Sequence, residues 1–174
     1  MNITLIGMPG SGKSTVGVLL AKTLVYDFVD TDILIQKKSG ISLCGLIELE
    51  GTDGFIRTEN SVISSVKAKN TVIATGGSAV YGKEAMEHLR NISTVVYLTV
   101  PLKELSDRIK NIKTRGIVMQ NGQSLSDVFA ERSALYEKYA HITVNCSSLS
   151  AEECVCEIIN AVNKYTEGKA DDEE

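Results

Sequence analysis

The sequence predicts an α/β fold in which a parallel sheet is covered on both faces by helices. Short β-branched runs, nearly all apolar, alternate along the 174 residues with longer helical patterns, and a glycine-rich stretch follows the first run. Such alternating units imply right-handed crossovers, with ligands bound beyond the carboxyl ends of the strands. We expect five strands, at Asn2–Ile6, Asp27–Asp30, Thr71–Thr75, Thr94–Thr99 and Ile142–Asn145.

Eight helices are expected to alternate with these strands. They lie near Lys13–Leu24, Thr31–Ser39, Ser42–Glu50, Gly54–Lys67, Gly82–Asn91, Pro101–Ile109, Ser124–Ala140 and Ala151–Tyr165. The polar stretch 111–123 separates two of them, and a loop of that length in a compact domain is usually a lid or a binding loop, the alternative being a plain mobile surface loop. The acidic stretch 166–174 lacks apolar residues and is expected to form a disordered tail.

The composition restricts the classes of function. A content of 43% hydrophobic residues suits one globular domain with a full core. A formal net charge of −4 argues against a nucleic-acid partner, and no apolar run approaches membrane-spanning length. The four cysteines lack the paired spacing of a zinc site and suit free thiols in a reducing compartment. Because the glycine-rich stretch leaves no room for a signal peptide, we expect a cytoplasmic protein.

The stretch from Ile6 to Thr15, IGMPGSGKST, contains the pattern G-x-x-x-x-G-K-[ST] between a predicted strand and a predicted helix. Such a loop turns backbone N–H groups toward phosphate oxygens, and the helix adds the positive end of its dipole. Lys13 can reach the β- and γ-phosphates, and the Ser14 hydroxyl can hold Mg²⁺. The nucleotide-binding residues predicted here are Gly10, Ser11, Gly12, Lys13, Ser14 and Thr15. A chance match is the alternative, and a GTPase is less favoured because the chain has no N-K-x-D motif.

Acids and glycines follow two of the predicted strands. Asp30 and Asp32 close the second strand, on the side of the sheet where ligands bind. Asp32 could orient a substrate hydroxyl or accept its proton, and Asp30 could hold the hydration shell of Mg²⁺, although either could serve only as a helix N-cap. Gly76 and Gly77 follow the third strand and would let backbone N–H groups approach a ligand closely, unless they form an ordinary turn.

Two charged residues fall on apolar stripes of the predicted helices. Glu59 follows Phe55 by four positions, and a buried carboxylate needs a partner or a ligand. Arg132 follows Val128 in the same way, so it snorkels, pairs with an acid such as Glu59, or binds an anionic ligand. Arg57 falls on the polar side of its helix, where a solvated arginine is expected.

Six stretches occur in order along the chain: GMPGSGKST, the VDTD strand end, F-x-R-x-E, ATGGSAV, the loop of Arg115 and ERSALYEKYA. Together they resemble the shikimate kinase family over residues 2–165. The resemblance implies a three-layer P-loop kinase fold in one domain, residues 1–165, with a five-stranded parallel sheet of order 2-3-1-4-5 and a mobile lid near 111–123. It also implies transfer of the γ-phosphate of ATP, with Mg²⁺, to the 3-hydroxyl of shikimate.

The resemblance gives the donor half of the site its residues. Lys13 and Ser14 match the family's phosphate and Mg²⁺ groups, and Asp30 matches an acid near the metal. Arg108 matches an arginine that stacks on adenine, and Arg115 matches the lid arginine that completes the site over the phosphates. Catalysis would thus fall to Lys13, Arg115 and the acid of the acceptor half.

The acceptor half is matched in the same way. Asp32 corresponds to the acid that engages the substrate hydroxyls, and it would accept the hydroxyl proton late in the transfer. Gly76 and Gly77 correspond to the first two glycines of a substrate-binding G-G-G, in which Ser78 takes the third place. Arg132 corresponds to an arginine that grips the substrate carboxylate.

One position of the acceptor half departs from the family pattern. The family reads F-R-x-x-E on the third helix, whereas this chain has Ile56 in place of that arginine, between Phe55 and Glu59. Arg57 lies one residue further, about 100° round the helix. Losing the arginine contact forfeits about 1.5–3 kcal/mol, roughly a 10- to 150-fold loss of affinity, unless Arg57 turns inward to replace it.

The sequence therefore favours an ATP-dependent kinase of a small hydroxy acid, with shikimate the expected acceptor and a monomer the expected state. One alternative keeps the chemistry and changes the acceptor to another hydroxy or sugar acid, such as gluconate or homoserine, because Ile56 replaces a cation with an apolar wall. The other is a degenerate nucleotide-binding regulator. The departures support it. The survival of the matched site residues opposes it, namely Lys13, Ser14, Asp32, Arg115 and Arg132.

Overall fold

In the described part of the chain, five parallel strands pair side by side in one sheet. The computed structural model describes residues 1–109, 118–119 and 122–171. The strands are β1 (Ile3–Ile6), β2 (Asp27–Asp30), β3 (Thr71–Ala74), β4 (Thr94–Thr99) and β5 (Ile142–Asn145). They pair in the order β2-β3-β1-β4-β5, and every pair is parallel, which confirms the predicted sheet and its order.

Helices flank this sheet, as an α/β fold requires. They are α1 (Lys13–Leu24), α2 (Thr31–Ser39), α3 (Leu43–Ser64), α4 (Lys83–Ile92), α5 (Leu102–Arg108), α6 (Leu125–Tyr139) and α7 (Ala151–Asp171), with a 3₁₀ turn at Ala79–Tyr81 before α4. The inner strands β1 and β3 are buried at every position. Strands covered on both faces can be apolar throughout, which explains their unbroken runs of apolar and threonine residues.

A second, smaller apolar cluster lies under α2 and α3, apart from the main core. Its buried members are Ile35, Leu46, Phe55, Val62 and Val118. Three of these residues belong to α3, so the cluster fixes which face of that helix points inward. The same face carries Glu59, whose side chain is only 1% exposed.

The two helices predicted at 42–50 and 54–67 form α3, which is interrupted at Gly51. The backbone there has φ 70° and ψ 174°, a conformation that glycine adopts with little strain. Ser42 caps the start of the helix by accepting a hydrogen bond of 3.1 Å from the Gly45 N–H. The helix ends at Ser64, before the predicted Lys67, because the N–H and hydroxyl of Ser65 both donate to the Val62 carbonyl and tighten the last turn.

The predicted disordered tail is wrong for most of its length, since α7 continues from Ala151 to Asp171. Local contacts stabilise this extension. The Thr166 hydroxyl donates to the carbonyl of Val162 at 3.0 Å, and the Lys169 ammonium lies 4.8 Å from the centroid of the Tyr165 ring. The sequence interpretation relied on the absence of apolar residues and overlooked these contacts between successive turns of a helix.

Most of the predicted lid, 111–123, falls outside the described residues, which include only 118, 119, 122 and 123 of it. Val118 is buried in the second cluster. Where the chain is described, none of its helices combines the length and the apolar character needed to cross a membrane.

Candidate active site

A cavity of about 640 Å³ lies at the carboxyl ends of the strands. Its walls come from the segments that follow β1, β2, β3 and β5, together with residues of α3, α5 and α6. The cavity therefore lies where an open α/β sheet is expected to bind its ligand.

The loop between β1 and α1 turns sharply at three glycines. Gly7, Gly10 and Gly12 have φ values of 146°, 83° and 96°, which other residues rarely adopt. A Cβ atom on Gly7 would lie 2.7 Å from the Leu98 carbonyl oxygen, so this position also has no space for a side chain. Gly12 forms the N-cap of α1, which leaves the first N–H groups of the helix for a bound anion.

Lys13 is held inside this loop. Its ammonium donates to the carbonyl oxygens of Gly7 at 2.8 Å and Met8 at 2.9 Å. Burial, together with the positive charge of Arg132, lowers the pKa of Lys13 to about 8, although the charge of Asp32 opposes the shift. The ammonium is thus confined next to the loop's N–H groups and is still mostly charged at neutral pH.

Asp30 has two partners at the end of β2. One carboxylate oxygen accepts from the Ser14 hydroxyl at 2.7 Å, and the other accepts from the Asp32 N–H at 2.9 Å, which caps α2. The structure thus shows Asp30 as a helix N-cap, and its predicted role at the hydration shell of Mg²⁺ stays a prediction. The pair offers a hydroxyl and a carboxylate near the end of the cavity that the loop between β1 and α1 lines.

Asp32 projects into the cavity from the first turn of α2. Burial and the neighbouring charge of Asp30 raise its pKa to about 6, while Lys13 opposes the shift. The carboxyl group is consequently ionised at neutral pH but close to its titration range. A group in that state can accept a proton from a bound hydroxyl.

Gly76 and Gly77 form the floor of the cavity after β3. A Cβ atom on Gly76 would lie 2.6 Å from Glu59 Oε1 and 2.7 Å from Asp32 Oδ1. A Cβ atom on Gly77 would lie 2.7 Å from Pro9 Cδ and 3.1 Å from Arg132 Nη1. Glycine is therefore needed at both positions if the acids and the arginine are to meet at this floor.

Arg132 is buried, with 1% of its surface exposed, and reaches the cavity from α6. Its Nε donates to the Tyr81 hydroxyl at 3.2 Å, and its Nη2 donates to the Val118 carbonyl. The guanidinium also lies 5.1 Å from the centroid of the Tyr81 ring. These contacts fix the guanidinium and leave Nη1 beside Gly77, where an anionic ligand group can reach it.

The far end of the cavity is lined by Arg108 and by residues around the start of α7. Arg108 donates to the Gly10 carbonyl at 3.4 Å and pairs with Glu104. Cys146, Leu149, Ala151 and Cys154 also line this end, and the sequence interpretation gave them no role in a site. The position of Cys146 directly after β5 is the signal that could have identified this segment.

The cavity brings together most of the residues selected from the sequence. Gly10, Ser11, Gly12, Lys13, Ser14, Thr15, Asp32, Gly76, Gly77, Arg108 and Arg132 all line it. Ile56 and Arg57 are not among its described lining residues. Ile56 packs against the second apolar cluster, and the exposed Arg57 extends toward Gly54 instead of turning inward. Arg115 lies outside the described residues.

Comparisons with known proteins point in one direction. A family model described as "Shikimate kinase" matches residues 9–163. A shikimate kinase of Clostridium botulinum (strain Okra / Type B1) is 41% identical over 169 residues, which is 94% of this chain and 97% of that protein. A shikimate kinase of Nitrosomonas europaea is 38% identical over 167 residues, covering 94% and 79% of the two chains.

A solved structure gives the same result. The shikimate kinase from Acinetobacter baumannii in complex with shikimate matches with a TM-score of 0.85 at 33% identity. The match covers 94% of this chain and 93% of that protein.

Proposed function

Since the chain belongs to the shikimate kinase family, we propose that its cavity holds ATP with Mg²⁺ over the P-loop and presents shikimate to the γ-phosphate from the side of Asp32 and Arg132. The activity is an ATP-dependent phosphorylation, and shikimate is the acceptor that the relatives' names give. One observation carries the assignment of roles: a single cavity joins a phosphate-binding loop to an acid and a buried arginine across a floor of two glycines.

The donor half binds the phosphates through the loop and Lys13. The N–H groups that start α1 and the Lys13 ammonium offer fixed positive charge to the anionic oxygens of ATP. Because phosphoryl transfer depends mostly on positioning and on stabilising spread negative charge, these groups need no movement of their own during the reaction. Arg108 lines the opposite end, where the base of the nucleotide would lie.

Ser14 and Asp30 fit a magnesium ion in the donor half. Mg²⁺ prefers hard oxygen ligands, and it is usually bound by one or two protein groups together with substrate phosphates. A hydroxyl and a carboxylate 2.7 Å apart supply such oxygens. No group of three or more metal-binding side chains occurs in residues 1–109, 118–119 and 122–171, which agrees with an ion held largely by phosphate. Bound Mg²⁺ would neutralise charge on the phosphates.

In the acceptor half, Arg132 and Asp32 divide the recognition of shikimate. The guanidinium, fixed by Tyr81 and Val118, can bind the substrate carboxylate with Nη1. Asp32 can accept a hydrogen bond from the hydroxyl that is phosphorylated and take its proton. In this proposal the anionic end of the acceptor lies by a cation and its nucleophilic end lies by a base.

A coupled assay with a panel of acceptors tests this proposal. We expect turnover with shikimate at micromolar to millimolar KM, and much weaker turnover with gluconate or homoserine. Asp32→Asn should lower kcat by about 10²- to 10⁴-fold, as the loss of a general base does. Asp27→Asn, at the exposed opposite end of β2, is the matched control and should leave kcat unchanged.

Two results would overturn the assignment. Faster turnover of another acceptor than of shikimate would show that the Ile56 substitution has changed the substrate. Undiminished turnover in Asp32→Asn would show that Asp32 is not the general base. The cytoplasmic location and the monomeric state stay predictions, which fractionation and size-exclusion chromatography can test.

A further inference from the structure

Glu59 is a buried acid whose oxygens have no partner among the described residues. It lies on the inner face of α3, and neither Oε1 nor Oε2 forms a hydrogen bond with any of those residues. On its own helix, Ile56 is three positions earlier and apolar, and the guanidinium of Arg57 extends toward Gly54 on the outer side. An ionised carboxylate in such a place is costly, and buried groups of this kind usually stay neutral.

The groups that face Glu59 come from four other parts of the fold. Asp32 of α2 is an anion near the same point above Gly76, while Lys13 of α1 and Arg132 of α6 are cations. Ser78, after β3, favours the ionised form, although the two side chains make no hydrogen bond of ordinary geometry. Burial outweighs the favourable contributions and raises the pKa of Glu59 to about 8.

Ligand binding would engage both of these cations. In the proposed function, on which this inference rests, Lys13 pairs with phosphates and Arg132 with the carboxylate of the acceptor. Once paired, they stabilise an ionised Glu59 less, and the acceptor adds a further negative charge nearby. The proton on Glu59 and the acceptor should therefore favour each other's binding.

We propose that Glu59 is a positioning residue that must carry a proton when the acceptor binds, because its buried carboxyl group has the apolar Ile56 three positions before it and no hydrogen-bond partner among the described residues. Glu59 does not line the cavity, so it acts through the floor at Gly76 and through the charge balance around Arg132. The neutral carboxyl leaves Arg132 free for the acceptor. The ionised carboxylate competes with the acceptor for that charge.

The test is the pH dependence of the shikimate KM, measured from pH 6.5 to 9.5 at saturating MgATP. In the wild type we expect KM to be flat below about pH 8 and to rise above it, approaching tenfold per pH unit. Glu59→Gln keeps the size of the side chain and cannot ionise, so its KM should stay flat and within about threefold of the wild-type value at pH 7. Ile56→Arg places a guanidinium three positions from Glu59 on the same helix face, and it should also abolish the rise.

Two features of the design separate this effect from others. Glu48→Gln, an exposed glutamine substitution on the same helix, is the matched control and should keep the wild-type profile. Loss of the Lys13 charge in the same pH range would lower kcat and weaken ATP binding, whereas the Glu59 effect lies in the acceptor KM at saturating ATP.

Calorimetry provides a readout that does not depend on the variant at position 59. Shikimate binding at pH 8.5, measured in buffers of different ionisation enthalpy, should show net proton uptake by the wild type and none by Ile56→Arg. A flat wild-type KM, an unchanged rise in Glu59→Gln, or the absence of proton uptake would each overturn the inference. If shikimate is neither bound nor phosphorylated, the proposed function itself fails, which is a different result.

Discussion

Gly76→Ala is the substitution whose effect follows most directly from the geometry. Its Cβ would lie 2.6 Å from Glu59 Oε1 and 2.7 Å from Asp32 Oδ1, and both distances are too short for a carbon–oxygen contact. Glu59 is packed into the core and has little room to move, whereas Asp32 borders the cavity. We expect Asp32 to give way by rotating into the space that the acceptor hydroxyl needs.

The magnitude can be bounded from packing. Inserting one methyl group into a tightly packed site costs typically about 1–3 kcal/mol. If most of that free energy opposes acceptor binding and alignment, kcat/KM for shikimate should fall by about 5- to 150-fold. The KM for ATP should change by less than about threefold, because Gly76 is separate from the loop that binds the phosphates.

Steady-state kinetics with shikimate and ATP varied separately provides the measurement, with thermal unfolding recorded for each protein. Gly168→Ala is the matched control, because a Cβ there meets nothing within 4 Å and the residue lies in α7. That variant should keep full activity and equal or higher stability. If Gly76→Ala retains kcat/KM within about twofold, the convergence of the two acids above Gly76 has no bearing on the acceptor.

Three further predictions concern single groups of the site. Lys13→Met should lower kcat by about 10²- to 10³-fold at saturating ATP, measured in the coupled assay, since it removes a fixed positive charge from the phosphates. Tyr136→Phe removes the hydroxyl that donates to the Gly77 carbonyl at 2.7 Å, and urea unfolding should show a loss of about 1–3 kcal/mol that Tyr139→Phe does not share. The pKa of Glu59 is raised from 4.5 to about 8 in the folded state. Between these two values the folded protein binds more protons than the unfolded chain, so the free energy of unfolding should fall as the pH rises through that window. The free energy of unfolding of Glu59→Gln minus that of the wild type, measured by urea unfolding, should therefore increase by at least about 1 kcal/mol from pH 5 to pH 8. The same difference at both pH values would contradict the assigned pKa.

The sequence was most informative where local pattern and chemistry coincide. The P-loop could be read because its glycines, Lys13 and Ser14 all lie in one short stretch between a strand and a helix. The strands could be read from their apolar runs, while their order came from the family resemblance. Arg132 stood out because a charged residue interrupts an apolar stripe.

Other features could not be read because they depend on contacts between distant parts of the chain. Cys146 and Cys154 line the cavity only because β5 and α7 return to the ligand side, and neither residue belongs to a pattern. The helical extension at 166–171 depends on contacts such as that between Tyr165 and Lys169, which composition does not reveal. The sequence offered Asp30 as a helix N-cap or as a holder of the Mg²⁺ hydration shell. The structure shows the cap together with a bond from the Ser14 hydroxyl that no pattern predicted, and the role toward Mg²⁺ stays a prediction.

Ile56 shows why the acceptor half is harder to read than the donor half. Ile56 is not among the described residues that line the cavity, although Phe55 and Val118 of the second apolar cluster, against which it packs, do line it. With the apolar Ile56 three positions before it, Glu59 stays buried without a hydrogen-bond partner among the described residues, while Arg132 remains fixed by Tyr81 and Val118. In the proposed mechanism, recognition of the acceptor carboxylate falls on the guanidinium of Arg132, and the proton on Glu59 determines how much of that charge the acceptor can use. If the proposal holds, a single apolar residue at position 56 makes the affinity for the acceptor depend on pH without any change of fold.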